Sequence, residues 1–190
     1  MSEILVFDTE TTGIPDWKTP SDDEFQPHMV QLGAIRVDED TKQVKQTLDV
    51  VIRPDGWMIP AATIEVHGIT QEYAASVGVP EKLAVQMIME MSLGCKRIAY
   101  NTTFDNRIIR IAAKRYLGDL AADCWKEGEY ECAMILARKV MGEKSNQKLE
   151  VAYKHFVGSE LIGAHNALND TYACMAVYFA AKEQAELEAA

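Results

Sequence analysis

The stretch that most restricts what this chain can become is Ile4-Leu5-Val6-Phe7-Asp8-Thr9-Glu10-Thr11-Thr12-Gly13. An apolar run reads as a strand, and it ends by delivering two carboxylates two positions apart. On a strand, residues i and i+2 point to the same face, so Asp8 and Glu10 project from one side of a sheet edge. Like charges held side by side are costly unless a positive charge sits between them. Hard divalent cations such as Mg²⁺ or Mn²⁺ take oxygen ligands and would answer that need. The same residues also suit a strand running out into a polar, Gly-terminated turn, and the pair alone does not choose between the two.

The remainder of the chain alternates between strands and helices. Strands are expected at Leu5 to Asp8, Met29 to Val37 and Val44 to Ile52. A long polar loop with Pro15, Pro20 and Pro27 joins the first two, and the tight turn Asp38-Glu39-Asp40-Thr41-Lys42 joins the second and third. That spacing predicts an antiparallel meander. After Pro54, Gly56 and Pro60, a short segment ends at Val66-His67-Gly68-Ile69-Thr70. The chain then turns helical: Pro80 suits a first turn, Leu83, Met87, Ile88 and Met91 form an apolar stripe, and Gly94 closes the helix. Arg97 to Tyr100 reads as a short buried strand. The helix after it buries Phe104, Ile108, Ile111 and Ala112, with Arg107, Arg110 and Lys114 on an outer face. A last strand is expected at Glu129 to Cys132, then a helix through Ala137 and Val140. Another amphipathic helix carries Leu149, Ala152, Tyr153 and Phe156, and a final helix runs from about Ala167 toward Glu188. There is no internal repeat and no sign of a second domain, so residues 1–190 are expected to form one unit.

Length and charge narrow the function. At 190 residues, 48% apolar and 25% charged, the chain suits a well-packed globular protein. No apolar run approaches the ~20 residues needed to span a bilayer, and Met1-Ser2-Glu3 carries no basic leader signature. Cys95, Cys124, Cys132 and Cys174 lie far apart, without the close pairs of a zinc site. They read as reduced thiols, and a cytoplasmic location with no membrane partner is the expectation. The net charge of −10 argues against wide electrostatic capture of duplex DNA. It remains compatible with a small site that grips a strand end through bound metal.

Two further constellations bear on Asp8 and Glu10. Asn101-Thr102-Thr103-Phe104-Asp105 lies where a buried strand turns into a helix, and His165-Asn166-Ala167-Leu168-Asn169-Asp170 opens the last helix. An aspartate in a first helical turn commonly serves the helix dipole, so each constellation alone says little. Together they add two carboxylates and a histidine, each at the end of an element.

Through these three motifs the chain resembles the DEDDh branch of the DnaQ-like 3′–5′ exonucleases, the family of polymerase proofreading subunits. Asp8-Thr9-Glu10-Thr11-Thr12-Gly13 is similar to its first motif, Asn101 to Asp105 to its second, and His165-x-Ala167-x-x-Asp170 to its third. Val66-His67-Gly68-Ile69-Thr70 resembles the family's loop after the third strand, and Lys148-Leu149-Glu150 the start of its penultimate helix. The family often carries His before the second-motif Asn, where this chain has Tyr100, and the loop Ile14 to Pro27 is longer than compact members require. The fold that the resemblance implies is α/β and ribonuclease H-like, with a five-stranded mixed sheet flanked by helices.

The resemblance implies two Mg²⁺ or Mn²⁺ ions held by Asp8, Glu10, Asp105 and Asp170. His165 would be the general base; its unperturbed pKa near ~6.5 suits that task. Thr11, Thr12, Gly13, Val66, His67, Asn101 and Phe104 would touch the terminal nucleotide. Phe104 is either a stacking surface for a base or ordinary core. His67 is either a nucleotide contact or a turn residue. Arg107, Arg110 and Lys114 either guide phosphates or form a solvated face. The activity implied is removal of nucleoside 5′-monophosphates from the 3′ end of single-stranded or frayed DNA, in proofreading or repair. An exoribonuclease or oligoribonuclease on the same fold, since discrimination rests on the 2′-hydroxyl, and a non-catalytic nucleic-acid-binding module are the alternatives. Little chain follows Asp170, so a stand-alone enzyme is expected ahead of a dedicated polymerase subunit.

Overall fold

The strand β1 (Glu3–Thr11) carries the alternation that organises the fold. Leu5 and Phe7 turn to one face of the sheet, Ile4 and Val6 to the other, and all four are fully buried. In this computed structural model residues 2–189 are described; Met1, the first of the three residues read for a leader, and Ala190 lie outside them. β2 (Met29–Asp38) runs antiparallel to β1, and β3 (Val44–Arg53) antiparallel to β2, so the expected meander is present. Its register sets Asp8 opposite Gly33 and Glu10 opposite Gln31.

Three short elements come next: α1 (Ala61–His67), α2 (Gln71–Val77) and β4 (Val79–Pro80). The sequence pattern predicts no helices here, and the reason is physical. α1 buries no residue and α2 only Ala74, so neither shows an apolar stripe. β4 adds a sixth strand to the expected five, pairing in parallel with Ile52 and Arg53. Two residues carry no periodicity, and Gly78 lets the backbone pass close to Arg53.

α3 (Glu81–Met91) corrects the expected stripe. Its buried face is Glu81, Ala84, Val85 and Ile88, spaced i, i+3, i+4, i+7, whereas Leu83 and Met87 are exposed. The phase is set by Glu81, whose carboxylate is turned inward to accept the Met29 N–H at 2.9 Å and the Tyr116 hydroxyl at 3.0 Å. A buried glutamate overrides the larger apolar residues that the pattern favours.

β5 (Lys96–Ala99) then runs parallel to β1 and β6 (Tyr130–Cys132) parallel to β5, giving the order β4-β3-β2-β1-β5-β6. Between them lie α4 (Thr102–Leu117) and α5 (Asp119–Glu127). α5 is absent from the pattern-based expectation; it buries only Ala122 and Trp125. Three helices finish the chain: α6 (Ala133–Val140), α7 (Leu149–Val157) and α8 (Ala167–Ala189). α3, α4 and α5 cover the Leu5/Phe7 face, while α6, α7 and α8 cover the Ile4/Val6 face. Among the described residues no helix is long and apolar enough to cross a membrane, and all four cysteines are free.

The Pro-containing loop is ordered by the basic face of α4. Arg107 donates to the Thr19 carbonyl at 2.7 Å, Arg110 to the Ser21 hydroxyl at 3.4 Å, and Lys114 pairs with Asp22 at 3.6 Å. Arg115 donates to the carbonyl of Gln26 at 2.8 Å. Inside the loop the Gln26 amide bonds to Asp16, Thr19 and Pro20. The face expected either to guide phosphates or to lie solvated instead holds the protein's own loop.

Candidate active site

Strand alternation dictates where the first-motif side chains go. Ile4, Val6, Asp8 and Glu10 share a face, the one covered by α8, and Thr9 continues the Leu5/Phe7 series toward α4. Thr9 there meets Asp105. Its backbone N–H and its hydroxyl both donate to Asp105 Oδ1, at 3.1 and 2.8 Å. Asp105 is thereby fixed from one side and buried in the first turns of α4. Asn101 occupies the N-cap position of that helix, yet its side chain makes no capping bond and is exposed.

The other half of the site is delivered by the start of α8, and β2 holds that start in place. A Cβ at position 33 would fall on the Ala167 carbonyl and the Leu168 nitrogen, so only glycine lets the helix sit against the strand here. The Thr171 hydroxyl bonds to the Gly33 carbonyl at 3.1 Å. The Gln31 side chain accepts the Ala167 N–H at 3.1 Å while its amide donates to Asp49 at 2.8 Å. Asn166 accepts the Asn169 N–H at 3.1 Å, the usual N-cap bond. Since Gly33 and Gln31 stand opposite Asp8 and Glu10, the register that pairs the strands also places Asp170 and His165 beside those carboxylates.

Glu10, His165 and Asp170 each offer a ligand atom, and these atoms lie within 4.8 Å of one another. Asp170 Oδ2 accepts the His165 N–H at 2.9 Å, while its Oδ1 is buried without a partner. His165 is exposed and sits at φ 65°, a left-handed conformation that costs a non-glycine residue energy. Among the described residues, no lysine or arginine forms an ion pair with Asp8, Glu10, Asp105 or Asp170.

The electrostatics register that lack. Burial, then the charges of Asp105, Asp170 and Glu10, raise the Asp8 carboxyl well above the usual carboxylate range. Burial and Asp170 push Glu10 up to about 7, against a downward pull from His165. Burial also raises Asp105 to about 7 in spite of the bonds from Thr9. Asp170 is raised by burial, partly offset by the His165 N–H. Four crowded carboxylates that resist ionisation, one with an orphaned buried oxygen, are what a hard divalent cation with oxygen ligands would relieve. The donor set fits such ions.

The residues expected to meet the terminal nucleotide have several fates. Thr11 is buried and its hydroxyl donates to the Gly13 carbonyl at 2.7 Å, and the Thr12 N–H bonds to the His28 carbonyl at 3.0 Å. No protein atom crowds Gly13. Val66 is exposed at the end of α1. His67 Nδ1 accepts the Ile69 N–H at 3.1 Å, and its buried Nε2 has no partner. Burial and then nearby His165 lower the His67 pKa, which puts this histidine in electrical reach of the site. Phe104 is half-buried and packs against the core beneath α4. Tyr100 is buried, its hydroxyl donating to the Gln147 carbonyl at 2.8 Å. Two clefts flank the carboxylates: one of about 460 Å³ between Asn101, Lys148, Glu150, His165 and Asp170, the other of about 350 Å³ between Gln31, Asp49, Ile69, Tyr73 and Asn166.

Sequence reasoning missed Thr9, Gln31, Gly33 and Asn166 as positioning residues. Signals existed for two: a lone glycine inside a strand pattern marks close backbone approach, and Asn before a helix marks a cap.

A family model described as Exonuclease, of the RNase T type, matches residues 5–178. The chain belongs to the DnaQ-like exonuclease family. A "DNA polymerase III subunit epsilon-like protein" of Rhodobacter capsulatus is 31% identical over 107 residues, covering 56% of this chain and 14% of that protein. Among solved structures, E. coli exonuclease I in complex with a dT13 oligonucleotide superposes with a TM-score of 0.77 at 21% identity, over 99% of this chain and 42% of that one. A zinc-bound form of the E. coli exonuclease I–ssDNA complex gives a TM-score of 0.75 at 21% identity, over 100% and 42%. The chain thus spans less than half the length of these relatives, and the fold they share is the α/β sheet with flanking helices described above.

Proposed function

We propose that this exonuclease-family chain, one domain over residues 1–190, is a metal-dependent 3′–5′ exonuclease. It would hydrolyse phosphodiester bonds from the 3′ end of single-stranded or frayed DNA and release nucleoside 5′-monophosphates. The observation that carries the reading is the convergence of Glu10, His165 and Asp170 within 4.8 Å beside Asp8 and Asp105, with no lysine or arginine among the described residues to neutralise them. The neighbours solved with dT13 and, in the zinc-bound form, with ssDNA favour single-stranded DNA and a divalent cation.

Asp8, Glu10, Asp105 and Asp170 would hold two Mg²⁺ or Mn²⁺ ions, which when bound supply an activated water and charge neutralisation at the leaving oxygen. The chain's own residues do the rest. Thr9 fixes Asp105, and the His165 amide fixes Asp170, so neither carboxylate must be reorganised. The His165 imidazole, exposed at the cleft, takes the proton from the attacking water. The open space at Gly13 and the free side chain of Asn101 border the place where a terminal nucleotide would lie.

Strands of DNA and RNA labelled at either end test the reading. With Mg²⁺, a 5′-labelled DNA strand should shorten through a ladder, and a 3′-labelled strand should release labelled mononucleotide from the outset. Shortening from the 5′ end, or internal cleavage alone, would overturn it. Faster loss of the RNA strand would reassign the substrate to RNA on the same chemistry.

A further inference from the structure

A chain of net charge −10 with four carboxylates at one site repels a polyanion unless cations stand near. Of its 19 lysines and arginines, Lys148 alone lines either of the two clefts that flank the cluster. It shares the larger cleft with Asn101, His165 and Asp170, so cleft and cluster have walls in common. Lys148 is exposed and, among the described residues, forms no ion pair. Glu150, two residues on, lines the same cleft without bridging to it. The Glu150 charge instead adds to the burial that raises Asp170. Lys148 is thus a free cation in a cleft that the reacting groups also face.

The backbone that carries Lys148 is anchored on both sides. Lys148 is the N-cap residue of α7, extended at φ −68° and ψ 156°, and its carbonyl accepts the Val151 and Ala152 N–H groups at 3.1 Å. One residue earlier, the Gln147 carbonyl accepts the Tyr100 hydroxyl at 2.8 Å. Before that, Arg138 donates to Asn146 Oδ1 at 3.1 Å. Tyr100 is buried and stands directly before Asn101, where β5 runs into α4. Position 100 is where this chain departs from the histidine common in the second motif, and the departure supplies the hydroxyl that holds the segment. A lysine is a compact point charge on a flexible stem, a form of cation that suits phosphate.

We propose that Lys148 binds the backbone phosphate nearest the 3′ end of the strand, and that the Tyr100 hydroxyl positions it to do so. The proposal rests on the exonuclease reading of the catalytic cluster. A phosphate contact carries no sequence information, which suits a residue that meets each linkage in turn as the strand is shortened.

Fluorescence anisotropy of a labelled DNA strand, in an Asp8→Ala background that does not consume it, tests the contact. Adding Lys148→Ala should weaken binding roughly 3- to 30-fold, between the effect of an exposed ion pair and that of a charge-assisted hydrogen bond. The slope of log K against log salt should fall by about 0.7, one phosphate contact on a single strand. Lys148→Arg should keep most of the affinity, whereas Lys148→Met, which keeps the stem without the charge, should not. A methylphosphonate at the linkage nearest the 3′ end should erase the effect of Lys148→Ala, and one placed farther along should leave it. With Asp8 intact, Lys148→Ala should raise KM by a similar factor with kcat changed by less than about twofold, and the Mg²⁺-induced Tm shift should stay the same. Tyr100→Phe should raise KM less, and should add nothing once Lys148→Ala is present. An unchanged salt slope, equal losses for Lys148→Arg and Lys148→Met, or a full Lys148→Ala effect at every methylphosphonate position would overturn the phosphate contact. Additive effects of Tyr100→Phe and Lys148→Ala would overturn the positioning role of Tyr100. Absence of turnover on every strand would count against the exonuclease reading instead, and the anisotropy would still decide Lys148.

Discussion

The two ends of β1 are built from the same residue types and do opposite things. At the N-terminal end Glu3 and Glu39 each have a cation. Glu3 pairs with Arg36, and Glu39 takes Lys182 at 2.7 Å, Lys96 at 3.4 Å and the Ser2 hydroxyl at 2.9 Å. The Lys182 bond, joined by Ser2 and Lys96, holds Glu39 down to about 2. At the C-terminal end Asp8, Glu10, Asp105 and Asp170 have no lysine or arginine paired with them among the described residues, and all four are raised. One end ties β1 to β2, and the turn after β2 to β5 and α8, through complete ion pairs. The other keeps a charge deficit, which under the proposed function a cation from outside would relieve.

The largest effect should come from removing a member of the deficit. Asp8→Ala or Asp170→Ala should abolish turnover while metal-free thermal stability holds or rises, because repulsion is relieved. Mg²⁺ at ~100 times its Kd should stabilise the unaltered protein by about 2.7 kcal/mol and these variants much less, read as shifts in Tm. Equal shifts would mean that the carboxylates do not bind the ion.

Next in size, His165→Ala should slow turnover roughly 10²–10⁴-fold, the range of general-base catalysis, and retain most of the Mg²⁺-induced Tm shift. If the shift disappears with the rate, His165 belongs with the ligands.

Gly33→Ala addresses how the deficit is assembled. The new methyl strikes the backbone of Ala167, so roughly 1–3 kcal/mol of stability should be lost, as for other overpacked sites, with activity falling further because Asp170 and His165 move together. Urea unfolding and initial rates measure both, and an unchanged rate would separate α8 from catalysis.

The smallest effect is the pH dependence of the metal-free protein, and it has opposite signs at the two ends. Glu39 is depressed, so its stabilisation is present above the ordinary glutamate pKa of ~4.3 and is lost as pH falls toward about 2. Glu10 and Asp105 are raised, so the folded state holds extra protons between the ordinary carboxylate range and about 7. Stability should therefore decline as pH rises through that window. In unfolding curves across pH, Glu39→Gln should flatten the acid limb and Glu10→Gln the neutral limb; the reverse assignment would refute the contrast.

Much of this is legible in the chain itself. The alternation of β1, the meander, the strand-to-helix turn at Asn101 and the long last helix all come from patterns within one element, where spacing alone fixes the facing. Three motifs at element ends anticipate the clustering of Asp8, Glu10, Asp105, His165 and Asp170. The elements that escape, α1, α2, β4 and α5, bury too little of their own surface to imprint a period. The phase of α3 escapes because a buried Glu81, satisfied by Met29 and Tyr116, outweighs an apolar stripe.

Local pattern thus supplies the inventory and the direction: which side chains leave β1 on which face, and which stand at the mouths of α4 and α8. How they meet is settled by packing between elements. Gly33 and Gln31 act on α8 from more than a hundred residues away, and the cations of α4 are occupied by a loop that no local pattern links to them. The reason is that periodicity reports burial within an element, whereas close approach and charge pairing depend on distances between elements, which only the packed chain sets.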